Sequence, residues 1–150
     1  MKQLFILACS VLFSYNVMAQ EQEQLKGYLL TGSVDGKIEI TMFLTTEPHP
    51  CEPKLVYQGI YKYNKMQAKG DNWLLLNIDY NDNEQFIMAE ERFTGVLILK
   101  KENGGFSGIW MHPNGTTQKK VELKEKKLTE NDKKKYIDVL DKVNYNFRDC

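Results

Sequence analysis

The chain has 150 residues, with 20 Lys+Arg against 20 Asp+Glu and only two histidines. That balance removes the electrostatic argument for nucleic acid or an anionic membrane as a general partner. No phosphate-cradling glycine loop, Gly-x-Ser-x-Gly elbow or His-Glu-x-x-His motif occurs, so no catalytic residue and no cofactor is expected.

The first twenty residues, MKQLFILACSVLFSYNVMAQ, pair a positive Lys2 with an apolar run and a small-residue pattern at Val17-Met18-Ala19. They read as a secretory signal peptide, residues 1–19, cleaved after Ala19. The expected mature chain carries 19 basic and 20 acidic residues, a net charge of −1. It has no second apolar stretch long enough to span a bilayer. A lipid anchor at Cys9 would leave too short an apolar core before it. The expected location is periplasmic or secreted, where Cys51 and Cys150 are the natural candidates for one disulfide.

In chain order, Leu25–Gly32 reads as a strand, followed by an Asp35-Gly36 turn. Lys37–Thr45 alternates cleanly, with Ile38, Ile40, Met42 and Leu44 on one face. Thr46–Pro53 holds three of the four prolines and is expected to be a loop. Leu55–Tyr63 places Tyr57, Gly59, Tyr61 and Tyr63 on one side, before a long polar Asn64–Asn72 turn. Trp73–Tyr80 and Gln85–Glu90 form a hairpin across Asn81–Glu84. Phe93–Lys100 and Phe106–Met111 form another across Asn103-Gly104-Gly105, with Gly95 and Gly108 inside the strands. After Pro113-Asn114-Gly115, Thr117–Leu123 makes an eighth strand.

The period then changes. Thr129 is a fitting N-cap, and Tyr136, Leu140, Val143 and Phe147 recur at helical spacing, with Ile137 beside them. The expected fold is mainly all-β: an eight-stranded antiparallel up-and-down meander, barrel-like, over residues 20–127. One amphipathic helix within 128–150 packs on the sheet or across a mouth.

The order Gly59-x-Tyr61-x-Tyr63, Glu90, Thr94-Gly95, Gly108-x-Trp110 and Asn114-Gly115 resembles a small exported domain found in uncharacterised bacterial proteins. The match runs from about Val56 to Leu123 and implies a β-meander or lipocalin-like barrel with no established activity. One departure is the short gap between Glu90 and Thr94-Gly95.

Function is expected to be binding rather than catalysis. Tyr57, Tyr61, Trp73, Glu90 and Trp110 are the candidate ligand-binding residues, since aromatic walls and one inward carboxylate suit a small apolar molecule. Plain core packing is the simpler account of the aromatics. The simpler account of Glu90 is a carboxylate solvated with Glu91 at a strand end. If it is buried, Arg92 is the natural partner. A carrier holding its ligand inside the barrel requires an interior cavity. The alternative, a protein–protein module such as an inhibitor or envelope adaptor, predicts a packed core and an exposed apolar patch. A metal held by His49, Cys51 and His112 lacks recognisable spacing, and no metal is expected.

Overall fold

The computed structural model describes residues 25–65 and 72–148. The expected signal peptide, Cys9, most of the 64–72 turn and Cys150 lie outside the described residues. Eight antiparallel strands close into one barrel in sequence order: β1 (Lys26–Val34), β2 (Ile38–Pro48), β3 (Leu55–Tyr63), β4 (Leu74–Tyr80), β5 (Gln85–Glu90), β6 (Val96–Glu102), β7 (Gly105–Met111) and β8 (Gln118–Lys126). Closure is completed by β8 pairing with β1, from Val121 opposite Val34 to Lys126 opposite Leu29. The up-and-down order follows from short connections, each joining neighbours in the sheet. A helix, α1 (Glu130–Arg148), follows. It begins where Thr129 Oγ1 accepts the Asp132 amide at 3.1 Å and donates to Asp132 Oδ2 at 2.7 Å. No helix among the described residues is long and apolar enough to cross a membrane.

Strand boundaries differ from the expectation at several ends, and three of the differences have a clear local reason. β1 runs to Val34 because that side chain is core, 2 % exposed. The turn is then made by Asp35 and Gly36, both at positive φ (60° and 67°), a primed turn that suits the twist of a hairpin. β2 continues through Thr46 and Glu47, paired with Tyr57 and Val56, and ends at Pro48. Proline at a final strand position removes little from the ladder, so the loop shrinks to residues 49–54. β6 starts at Val96 because Glu91–Phe93 coil into a short 3-10 turn, with Arg92 and Phe93 at φ 68° and 54°. Gly95 therefore precedes β6, whereas Gly108 does lie within β7.

Alternation fills the barrel. Leu30, Ile40, Met42, Leu44, Tyr61, Phe86, Met88, Leu97, Leu99 and Val121 point inward and are at most 1 % exposed. The middle of the barrel is thus packed side chain, not a chamber. The outer surface carries a second apolar layer. Phe43, Ile60 and Leu75 pair across β2, β3 and β4 and form an outward-facing row. On this row α1 lays Tyr136, Leu140 and Val143, with Tyr136 stacked on Phe43 at 5.2 Å. The helix docks on the outside of the sheet and leaves both mouths of the barrel clear.

Seating of α1 on the Phe43–Ile60–Leu75 row is testable. Leu140→Ala, at a site 3 % exposed, is expected to lower unfolding free energy by about 2–4 kcal/mol in urea denaturation. A loss under about 0.5 kcal/mol, the range typical of surface sites, would show that the helix is not a cooperative part of the fold.

Candidate functional site

Glu90 ends β5, and the strand's parity carries Phe86, Met88 and Glu90 to the inner face. The expectation of a solvated carboxylate at the rim is overturned: Glu90 is 4 % exposed. Its oxygens are held by four side chains from three places in the chain. Tyr61 donates its hydroxyl to Oε1, and Trp110 Nε1 donates to the same oxygen at 2.9 Å. Tyr63 lies 3.4 Å away and also exchanges a hydrogen bond with Tyr61 at 2.9 Å. Thr94 donates its hydroxyl to Oε2. Arg92 is not the partner. Its left-handed backbone turns it away from the barrel, and its guanidinium lies 5.4 Å from the Phe147 ring centre.

The close spacing of Glu90, Thr94 and Gly95 has a structural reason. The turn must come back quickly enough for Thr94 to reach Oε2, and the Glu90 amide donates to the Gly95 carbonyl at 2.9 Å. A Cβ on Gly95 would lie 2.4 Å from Trp110 Nε1 and 2.5 Å from Glu90 Oε1. Glycine is required because the indole and carboxylate meet in the space a side chain would occupy. Burial raises the Tyr61 hydroxyl far above the ordinary tyrosine range. It lifts Tyr63 to about 12, with the Glu90 carboxylate adding to both.

The five residues expected to form one site divide among three places. Tyr61, Glu90 and Trp110 come together, joined by Tyr63 and Thr94. Tyr57 stands at the opposite end of the barrel, in edge contact with Tyr80 and Phe86 at 5.1 and 5.0 Å. Trp73 is outside the barrel, packed edge-on against Tyr136 at 5.9 Å beneath α1, with the Lys62 ammonium 4.7 Å from its ring centre. Position just before β4 puts its ring in the outer layer, where it lines no ligand space.

Each mouth forms a cleft of about 370 Å³, toward the small end of ligand sites. The mouth beside Tyr57 is crossed by charges from Glu84, Lys101, Glu102 and Glu125. The mouth beside Glu90 is different: Val34, Ile38, Tyr63 and Trp110 make its walls, and Lys65 and Lys119 stand at its rim. Two of those walls are the rings whose polar atoms grip Glu90. His49 follows β2 and His112 follows β7, so they sit at opposite ends and the conceivable histidine–cysteine metal set does not assemble. Among the described residues no three His, Cys, Asp or Glu side chains gather as a metal site. Cys51 is exposed, and the residue expected to pair with it lies outside the described residues.

No protein-family model, curated protein or solved structure matches the chain.

The cluster generates two expectations. Glu90→Gln places an amide donor among four donors, and is expected to cost about 1–3 kcal/mol in chemical denaturation; a neutral result would mean the carboxylate is dispensable to the fold. The second concerns alkaline pH. Because the folded value of Tyr63 lies above its ordinary value of 10, the unfolded chain releases protons first. Stability from this group is intact below pH 10 and is lost as pH rises through about 12. Tyr63→Phe is expected to flatten that fall in unfolding midpoints followed over this range, and an unchanged slope would rule out Tyr63 as its source.

Proposed function

We propose that the chain is an exported, non-enzymatic binding domain that takes a small apolar molecule at the Trp110 mouth of the barrel. The observation that carries the reading is an open apolar recess, Val34, Ile38, Tyr63 and Trp110, backed by a fixed polar floor. Binding sites on rigid elements lose less free energy to ordering, and the rings here are held before any ligand arrives. With the interior packed, the carrier that requires a central cavity has no room for its cargo, and this reading takes the recess at the mouth instead. Export rests on the N-terminal signal pattern, and the envelope or extracellular medium is the compartment in which the ligand would be met.

A second reading, a protein-interaction module, is favoured by the opposite wall of the barrel. Ile87, Ile98 and Ile109 pair across β5, β6 and β7 and form an outward row of the same kind as the one beneath α1. Here no helix lies on it among the described residues, and Ile87 and Ile98 are 54 % and 38 % exposed. A partner's apolar helix face would fit such a row as α1 fits its own.

The two readings separate by mutation. Ile38, 37 % exposed at the mouth, is replaced by Glu, and Ile98 by Glu on the wall. Titration with the neutral fluorophore N-phenylnaphthylamine is expected to lose about tenfold or more in affinity for Ile38→Glu, since a hydrated carboxylate beside Lys65 and Lys119 replaces an apolar wall and an apolar ligand would have to strip its water, and to be unchanged for Ile98→Glu. Equal affinity in the wild type and Ile38→Glu would remove the mouth as the site.

A further inference from the structure

We infer that the molecule bound at this mouth is a free amphiphile with one anionic group, its apolar body against Ile38 and Trp110 and its carboxylate or sulfonate between Lys65 and Lys119. The inference rests on the mouth being the ligand site, as proposed above, and names the chemistry of what it takes.

Strand parity makes the first part of the argument. In β8, Val121 and Leu123 point into the barrel, and Lys119 shares their face. Its neighbour Lys120 points outward and meets a carboxylate, Glu122, at 2.6 Å. The two consecutive lysines are therefore treated differently. The outer one forms an ordinary surface ion pair, while the inner one is half-buried at the lip of the apolar recess. Among the described residues Lys119 has no carboxylate within ion-pair distance. Its ammonium instead lies 5.6 Å from the centre of the Trp110 ring, the residue directly opposite it in the β7–β8 register. An ammonium carries three donors, and the face of an indole replaces only part of what water supplied.

Lys65 reaches the same recess from the end of β3. Its nearest acid is Glu39 at 3.9 Å, with both side chains well exposed, a contact that contributes little and leaves the ammonium free to turn. The negative charge nearest the recess floor is Glu90. Its oxygens are occupied by Tyr61, Tyr63, Thr94 and Trp110, and the rings of Tyr63 and Trp110 stand between it and the opening. An incoming molecule therefore meets apolar walls and two ammonium groups. A cation would be opposed by both lysines. A neutral apolar body would gain the walls alone. An anion on an apolar body gains both, and satisfies the donors that Lys119 holds over the ring.

The test uses two probes of nearly the same shape, N-phenylnaphthylamine and its sulfonated relative anilinonaphthalenesulfonate, titrated by fluorescence into the exported chain at low and high salt. The wild type is expected to prefer the sulfonate, and the preference is expected to shrink as salt rises. Lys119→Gln and Lys65→Gln are each expected to weaken sulfonate binding about two- to fivefold, the range of exposed ion pairs, without changing the neutral probe. Lys119→Glu should reverse the preference. Equal affinity for both probes in the wild type, or equal losses for both probes in the lysine variants, overturns the anionic assignment and leaves the mouth standing as a neutral site. Failure of both probes to bind, or binding of both that Ile38→Glu does not disturb, overturns the mouth itself and the assignment with it.

Discussion

One carboxylate organises this barrel. Glu90 is buried with no cation against it among the described residues, and neutral donors from β3, β7 and the β5–β6 turn all converge on its two oxygens. A carboxylate taken out of water is tolerable only when nearly every lone pair is satisfied, so each of those donors has little freedom to be elsewhere. The arrangement couples distant parts of the chain. It fixes the rings of Tyr63 and Trp110, forces the tight return of the chain through Arg92 and Phe93, and forbids a side chain at Gly95. Strain in two successive left-handed residues is sustained because Glu90 and Thr94 determine both ends of the turn.

Much of this was legible in the sequence, for reasons that can be named. The alternation of Ile40, Met42 and Leu44, the Asp35-Gly36 and Asn103-Gly104 turns, and the change to helical spacing after Thr129 each reflect local physics, and each produced the element it implied. The Glu90 cluster was not legible, because a carboxylate at a strand end is ordinarily solvated. Its burial depends on four donors that converge only when the sheet closes. The motif Tyr61-x-Tyr63, Glu90, Thr94-Gly95, Trp110 held the information, and the apparent lack of room between Glu90 and Thr94 was its trace. Trp73 failed differently. Alternation along one strand says which residues share a face, but not that a later helix will make the outer face a second core.

The two ends of the barrel show how little sequence change separates packing from a recess. Both mouths open to similar volumes, yet one is crossed by Glu84, Lys101, Glu102 and Glu125 and the other is walled by Val34, Ile38, Tyr63 and Trp110. Between them the interior is filled by side chains that leave no through passage. The fold supplies a scaffold with two independent rims, and chemistry at one can change without disturbing the other.

The seam between β3 and β4 is the shortest in the barrel. Only Gly59, Ile60 and Tyr61 pair with β4, against nine register pairs for β3 with β2. Below the break, Tyr80 bridges to the backbone of Leu55 through its hydroxyl, at 3.1 Å as both donor and acceptor. On the outside α1 crosses the same gap, joining Gln58 of β3 through Asn144 and Asn77 of β4 through Arg148. The helix is thus a latch on an incompletely sewn cylinder, and it is the last element of the fold in chain order. Without the helix, the unpaired parts of β3 and β4 beside this short seam would be uncovered edges, the usual template for a strand from another chain. A helix that finds the seam of a neighbouring copy before its own would tie two molecules together with contacts identical to those that close one, so the same latch that protects the monomer sets the route by which this protein would exchange parts.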